Sequence, residues 1–215
     1  MIIIPAILVK NQEDYLEQIN AIQDSVSLVQ LDISDEKFVP YKIWADPKVV
    51  KENTHTDLEL HLMVSDPLAE MKKWQGLEQI RRIFIHFEST PDLMPALDYA
   101  DEQGWEKGLA INPDTTLEQI KPYIDNVSSL LFMGVTPGQQ GQKFSPEILE
   151  KIEQTKNIYP EHFTEIDGGI NAETLPLLAS SGLDAVCIGS AVFGNDKDPQ
   201  ENLHNLETII NKLTL

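Results

Sequence analysis

The chain has 215 residues and a formal net charge of −19, from 16 Lys and Arg against 35 Asp and Glu. This acidic balance argues against nucleic acid or an anionic membrane as a partner, because both bind basic patches. The single cysteine, Cys187, excludes an internal disulfide, and its apolar neighbours are typical of a buried strand. The first eight residues lack a basic region and are too short for a signal peptide or membrane span, so we expect a cytoplasmic protein.

Short apolar runs alternate with longer amphipathic segments along the whole chain. The runs predict strands near residues 2–8, 28–33, 58–63, 83–87, 108–111, 130–135, 163–167 and 185–188. The amphipathic segments predict helices near residues 13–22, 47–52, 67–75, 92–103, 116–124, 146–158, 172–181 and 200–213.

This alternation predicts the fold class. Strand–helix units that repeat eight times without a linker are typical of a (β/α)8 TIM barrel, which commonly needs roughly 200–250 residues. We therefore expect one barrel domain over residues 1–215. A doubly wound open sheet is the alternative, but it usually has fewer strands, and no G-x-G-x-x-G follows the first strand.

Alternation within the predicted strands sends polar side chains toward the barrel axis, because residues i and i+2 share a face. A barrel interior is normally apolar, and active sites of this fold lie at the C-terminal ends of the strands. Burying this many polar groups without a function would be costly, so an enzyme is expected. The predicted inward set is Gln30, Asp32, Glu59, His61, Met63, His86, Glu88, Glu165 and Asp167.

Asp32, His61 and Asp167 end three different predicted strands, and together they suit a divalent metal with mixed nitrogen and oxygen ligands. Two carboxylates facing each other across a substrate can also act as base and acid next to a carbonyl, with the metal stabilising an enediolate. A histidine alone would as readily be a core residue bonded to a backbone carbonyl; the two nearby Asp residues favour the metal site.

Three glycine-bearing turns follow late predicted strands, at residues 138–142, 168–169 and 189–190. The last two occupy the position where this fold usually binds phosphate. Asn171, just after the Gly168–Gly169 pair, is expected to cap a helix, and backbone N–H groups at such a turn hold phosphate well. A phosphorylated small molecule is therefore the expected substrate class.

At these residues the chain resembles the ribulose-phosphate 3-epimerase family, nearly from end to end. The matching segments are 5–8, 31–35, 38–40, His61-Leu-Met63, His86-Phe-Glu88, Asn112-Pro113, 133–144, 165–170 and 189–193.

The resemblance implies a ribulose-phosphate-binding type of (β/α)8 barrel and interconversion of D-ribulose 5-phosphate and D-xylulose 5-phosphate at C3. It implies one divalent metal held by two His and two Asp, the two Asp also serving as acid and base. Asp32, His61 and Asp167 carry over as ligands, Asp32 and Asp167 as catalytic residues, and His61 as a substrate contact. The implied phosphate contacts are Gly168, Gly169, Gly189, Ser190 and, in the 138–142 turn, Gly138 and Gly141.

Four departures from the family pattern fall at the expected site. Gln30 replaces the family's first metal His; as the fourth ligand, its carbonyl suits Mn²⁺ or Mg²⁺ better than Zn²⁺, Fe²⁺ or Co²⁺, and the metal is left open. Ala6-Ile-Leu-Val9 replaces Ser-Ile-Leu-Ser, which removes a hydroxyl expected to contact substrate. Ser34-Asp-Glu36 replaces Met-Asp-Gly, and Gln139-Gln140 replaces Phe-Gly in the 138–142 turn.

Three functions follow from these observations. The first is a metal-dependent pentulose-phosphate 3-epimerase. The second is an epimerase of another ketose phosphate, with a pocket reshaped at Val9 and Gln139-Gln140. The third is a non-catalytic sugar-phosphate-binding relative, which the changes at Gln30 and Val9 favour and the two Asp oppose. An aldolase or decarboxylase is weaker because no inward Lys ends a predicted strand; a homo-oligomer is left open.

Overall fold

The computed structural model describes residues 1–137 and 143–213. Within them, parallel strands close into a barrel in sequence order, which confirms the predicted (β/α)8 fold. The strands are β1 Ile2–Ile7, β2 Leu28–Ser34, β3 Asp57–Met63, β4 Ile80–His86, β5 Glu106–Ile111, β6 Ser129–Met133, β7 Phe163–Asp167 and β8 Ala185–Ile188. The helices are α1 Gln12–Ile22, α2 Pro47–Asn53, α3 Pro67–Met71, α4 Met94–Gln103, α5 Leu117–Ile124, α6 Ile148–Ile158, α7 Leu175–Leu178, α8 Ser190–Phe193 and α9 Pro199–Leu213.

None of the helices within these residues combines the length and apolar character that crossing a bilayer requires.

Two apolar layers hold the barrel together. The outer layer lies between strands and helices and includes Leu31, Ile85 and Ile166, all fully buried. The inner layer fills the barrel and includes Phe84. An ideal Cβ on Gly108 of β5 would lie 2.3 Å from the Phe84 ring, so this glycine makes room for the ring. The alternation that assigned apolar residues of these strands outward therefore describes the sheet correctly.

Several helix boundaries follow from local capping. The Asp46 side chain accepts the N–H groups of Lys48 and Val49 and starts α2. Gly104 ends α4 in the left-handed conformation, with φ of 74°.

The segment predicted as a helix over 172–181 is helical only at α7, so that prediction was too long. The Asn171 side chain accepts the N–H groups of Glu173 and Thr174 and closes a turn there, which delays the helix to Leu175. The short α8, directly after β8, was not predicted.

Candidate active site

Three titratable side chains from distant parts of the chain meet at the C-terminal mouth of the barrel. Asp32 on β2 and His61 on β3 are direct register partners, and Asp167 is the last residue of β7. Their positions in the strands turn all three side chains away from the outer layer and toward the axis. His61 is fully buried and Asp32 is 4% exposed, so contacts with protein largely determine their charge states.

The polar atoms of this cluster lie within hydrogen-bonding distance of one another. His61 Nδ1 lies 2.9 Å from Asp32 Oδ1 and 3.5 Å from Asp167 Oδ2. Gln30 Nε2 donates to the same two oxygens, at 3.1 Å each. Each carboxylate is therefore held from two sides, by an imidazole and by an amide.

This donor set fits a divalent cation. The candidate ligand atoms of Asp32, His61 and Asp167 lie within 4.8 Å of one another. Two ligand atoms that each lie about 2.1 Å from a metal ion, with an angle of about 90° at the metal, are about 3 Å from each other. The 2.9 Å between His61 Nδ1 and Asp32 Oδ1 is close to that distance.

Gln30 supplies an independent sign of a missing partner. Its Oε1 is buried without a hydrogen-bond donor, while its Nε2 faces the carboxylates. Exchanging the two amide atoms by rotation would turn Oε1 toward the carboxylates, an arrangement that becomes favourable only when a cation lies among the oxygens.

The pKa shifts of the cluster describe its charge balance before a metal binds. Burial raises the pKa of Asp32 to about 6, although its bond to His61 counteracts the shift. Burial alone would lower the pKa of His61, but hydrogen bonds to Asp167 and Asp32 outweigh it and raise that pKa to about 9. Without a metal, His61 is thus an imidazolium that neutralises the carboxylates at pH 7. A bound divalent cation would displace its Nδ1 proton.

A cavity of about 530 Å³ opens above the cluster, a size typical of small-molecule sites. Gly168, Gly169, Gly189 and Ser190 line it, together with both Asp residues. Gly168 has a φ of 105°, and a Cβ there would lie 2.7 Å from Val135 Cγ2, so only glycine fits this turn without strain. Gly138 and Gly141 of the predicted phosphate turn, and Gln139-Gln140 between them, lie outside the described residues.

The first strand corrects one sequence interpretation. Ala6 lines the cavity, whereas Val9 is buried in the outer layer between the sheet and the helices. Val9 was expected to reshape the pocket, and that expectation was wrong because residues 6 and 9 lie on opposite faces of the chain. Of the two hydroxyl positions replaced here, only that of Ala6 faces the cavity.

The sequence matches the family model described as "Ribulose-phosphate 3 epimerase family" over residues 2–193. The chain belongs to this family. Curated relatives named ribulose-phosphate 3-epimerase include one from Bacillus subtilis, 32% identical over 77% of this chain and 79% of the relative. The Schizosaccharomyces pombe relative is 33% identical over 86% and 82%, respectively, and the Rhodobacter capsulatus relative is 31% identical over 96% and 93%. Family membership confirms the prediction of an isomerase-type enzyme.

Solved structures share the barrel at low sequence identity. The chain is similar to 3-hexulose-6-phosphate synthase from Salmonella typhimurium, with a TM-score of 0.75, 14% identity, and coverage of 99% of this chain and 100% of the other. KGPDC from Streptococcus mutans in complex with D-R5P gives a TM-score of 0.77, 12% identity, and coverage of 99% and 98%. Identities this low establish the fold alone.

An arginine that the sequence reasoning missed lies beneath the epimerase-family site. Arg82 Nη1 lies 3.3 Å from Glu59 Oε2 and also bonds Glu165, while Arg82 Nη2 lies 2.9 Å from Glu106. Cys187 Sγ approaches Glu165 at 3.4 Å. Glu59 and Glu165 of the predicted inward set therefore belong to a buried ion cluster below the mouth, whereas Glu88 contacts His86. The signal was available, because Arg82 shares its strand face with His86.

Proposed function

We propose that this protein is a divalent-metal-dependent epimerase that inverts C3 of D-ribulose 5-phosphate to give D-xylulose 5-phosphate. The observation that carries this proposal is the pair of carboxylates, Asp32 and Asp167, held at one centre by shared contacts with His61 and Gln30. A binding protein has no need of two such acids facing the same cavity.

The two carboxylates divide the work of an inversion at carbon. One removes the C3 proton, which leaves an enediolate of the sugar, and the other delivers a proton to the opposite face. Asp32 and Asp167 come from β2 and β7, which are separated by β1 and β8 in the barrel, and both line the cavity. Each well-placed acid or base contributes roughly 10²–10⁴ in rate.

Asp32, His61, Asp167 and the Gln30 carbonyl would hold the metal. The bound ion would stabilise negative charge that develops on the substrate oxygens during proton removal. Three oxygen donors and one imidazole form a harder ligand set than one with two imidazoles, so we propose Mn²⁺ or Mg²⁺ before Zn²⁺, Fe²⁺ or Co²⁺.

The phosphate of the substrate would lie against the turns after β7 and β8. Gly168, Gly169, Gly189 and Ser190 border the cavity there. None of the described residues that line the cavity is a lysine or arginine. Backbone N–H groups would therefore bind the phosphate in a protein whose overall charge is −19.

The test is a coupled assay for xylulose 5-phosphate formation with Mn²⁺, Mg²⁺, Co²⁺ or Zn²⁺ added to metal-stripped protein. We expect metal-dependent turnover that falls at least about 100-fold in Asp32→Asn and in Asp167→Asn. Asp57→Asn is the matched control, because Asp57 starts β3 at the opposite end of the barrel, where it pairs with Arg81. Turnover that needs no added metal would reject the proposal. Turnover that is retained in both Asp32→Asn and Asp167→Asn would also reject it.

A second candidate is an epimerase of another ketose phosphate, and Ala6 favours it. This residue lines the cavity at a position where the family has a serine, so one hydroxyl available for a substrate OH is missing. Measuring kcat/KM for a panel of pentulose and hexulose phosphates separates the two candidates, because each predicts a different preferred substrate. If the protein binds these sugars tightly and converts none of them, the non-catalytic alternative is favoured.

A further inference from the structure

His61 uses both ring nitrogens, and the second one lies outside the proposed metal centre. His61 Nε2 lies 2.9 Å from Nε2 of His86, the last residue of β4. Both imidazoles are fully buried, and at this distance the two nitrogens contact each other directly. Two ring nitrogens at this distance share one hydrogen bond, in which one donates and the other accepts.

Glu88 determines the direction of that bond. Its Oε2 lies 3.3 Å from His86 Nδ1, and its Oε1 accepts the Asn112 N–H at 3.0 Å and the Thr115 hydroxyl. An ionised carboxylate only accepts, so His86 Nδ1 carries the proton. In a neutral His86 ring, Nε2 is then the acceptor, and His61 Nε2 must be the donor.

The consequence reaches the metal centre. A His61 ring that keeps its proton on Nε2 can present the Nδ1 lone pair to a cation lying between Asp32 and Asp167. The other neutral tautomer would place two lone pairs against each other at the contact with His86. It would also put the Nδ1 proton where the cation has to bind.

We propose that Glu88 and His86 are positioning residues that hold His61 in the Nε2–H form and thereby present Nδ1 to the divalent cation. The inference rests on the proposed function, since it takes Asp32, His61 and Asp167 as the ligands. Neither residue has to touch the substrate; they act through the ring of His61.

The first measurement needs no metal and no activity. Long-range ¹H–¹⁵N correlation spectra of metal-free protein report which nitrogen of each histidine carries a proton. We expect His86 to be neutral and protonated at Nδ1, with its Nε2 accepting from His61. A wild-type His86 protonated at Nε2 would overturn the proposal, because His86 would then donate to His61 Nε2 and not accept from it.

The second measurement is Mn²⁺ affinity by calorimetry or by electron paramagnetic resonance. Loss of an outer hydrogen bond to a ligand typically weakens metal binding by about 10–100-fold, and we expect this for His86→Phe. His86→Gln, whose carbonyl oxygen can accept from His61 Nε2, should restore part of the affinity. The control is Tyr15→Phe, which removes a buried 2.6 Å bond to Thr54 outside the mouth and should leave Mn²⁺ affinity unchanged.

The outcomes separate this inference from the proposed function. Equal Mn²⁺ affinity in wild type, His86→Phe and Glu88→Ala would overturn the positioning role and leave the metal centre intact. A wild-type protein that binds no divalent cation would overturn the proposed function and this inference together.

Discussion

Replacing Arg82 with methionine tests the charge balance beneath the active site. Glu59 and Glu165 are both fully buried, and Arg82 is the cation that contacts both. Burial and the neighbouring carboxylate of Glu165 raise the pKa of Glu59 well above its ordinary value, which favours a shared proton on this pair of glutamates. Arg82 then balances the remaining negative charge, and methionine keeps the apolar volume without it.

The expected cost follows from the protonation that the variant needs. Without Arg82, the least costly state has both glutamates neutral. Holding a carboxyl with an ordinary pKa of 4.5 in the protonated form at pH 7 costs about 3 kcal/mol, at about 1.4 kcal/mol per pH unit. Removing one partner of a buried ion pair typically costs 3–5 kcal/mol, which agrees with this figure.

The pH dependence has a definite sign. A carboxyl whose folded pKa is raised above its unfolded value favours the folded state at low pH and loses that contribution as pH rises. Urea unfolding of Arg82→Met should therefore show a loss of about 3 kcal/mol at pH 7 and of only about 1 kcal/mol at pH 5.

Two matched variants control the measurement. Glu165→Gln added to Arg82→Met should recover most of the lost stability, because both charges are then absent. Arg81→Met changes the neighbouring residue of β4, which is exposed and paired with Asp57, and should leave the urea midpoint nearly unchanged. An equal loss at pH 5 and pH 7, or no recovery in the double variant, would refute the charge-balance argument.

Three further substitutions test the site and its borders. Gly168→Ala should destabilise the fold by about 2 kcal/mol and raise KM for a sugar phosphate, because its φ is 105° and Val135 lies 2.7 Å from the new Cβ; unchanged thermal unfolding would contradict this. Glu36→Gly should stabilise the protein by about 1 kcal/mol in urea unfolding, since Glu36 is a non-glycine residue with φ of 60°; a loss of stability would show that the loop needs this side chain. Gln30→His should strengthen Zn²⁺ binding about 100-fold in chelator competition, because four ligands share roughly 10–16 kcal/mol in structural zinc sites; unchanged Zn²⁺ affinity would mean that residue 30 is not a ligand.

The strand order and the inward face were predictable from sequence because both depend on local periodicity. Leu31 and Ile33 alternate with Gln30 and Asp32, and in a closed barrel that alternation separates the outer layer from the axis. The turn at Gly168 was also predictable from local sequence, because a Gly-Gly pair after a strand is typical of a turn with positive φ, which other residues rarely adopt.

What escaped prediction depends on long-range contacts or on competing local bonds. The bond between His61 and His86 joins residues 25 positions apart. Its direction depends on Glu88, whose carboxylate is held by the backbone N–H of Asn112. The late start of α7 reflects the turn closed by Asn171, which competes with helix formation. Ala6 lines the cavity and Val9 is buried in the outer layer. This difference was predictable, because side chains alternate between the two faces of an extended chain and residues 6 and 9 therefore face opposite sides.

The most direct test of the proposed epimerisation is deuterium incorporation at C3 of ribulose 5-phosphate, followed by NMR in D₂O with Mn²⁺-loaded protein. We expect deuterium at C3 of both pentulose phosphates with the wild-type protein, and interconversion of the two that is at least about 100-fold slower in Asp32→Asn and in Asp167→Asn. Absence of C3 deuterium with every divalent metal, or full interconversion in either variant, would contradict it.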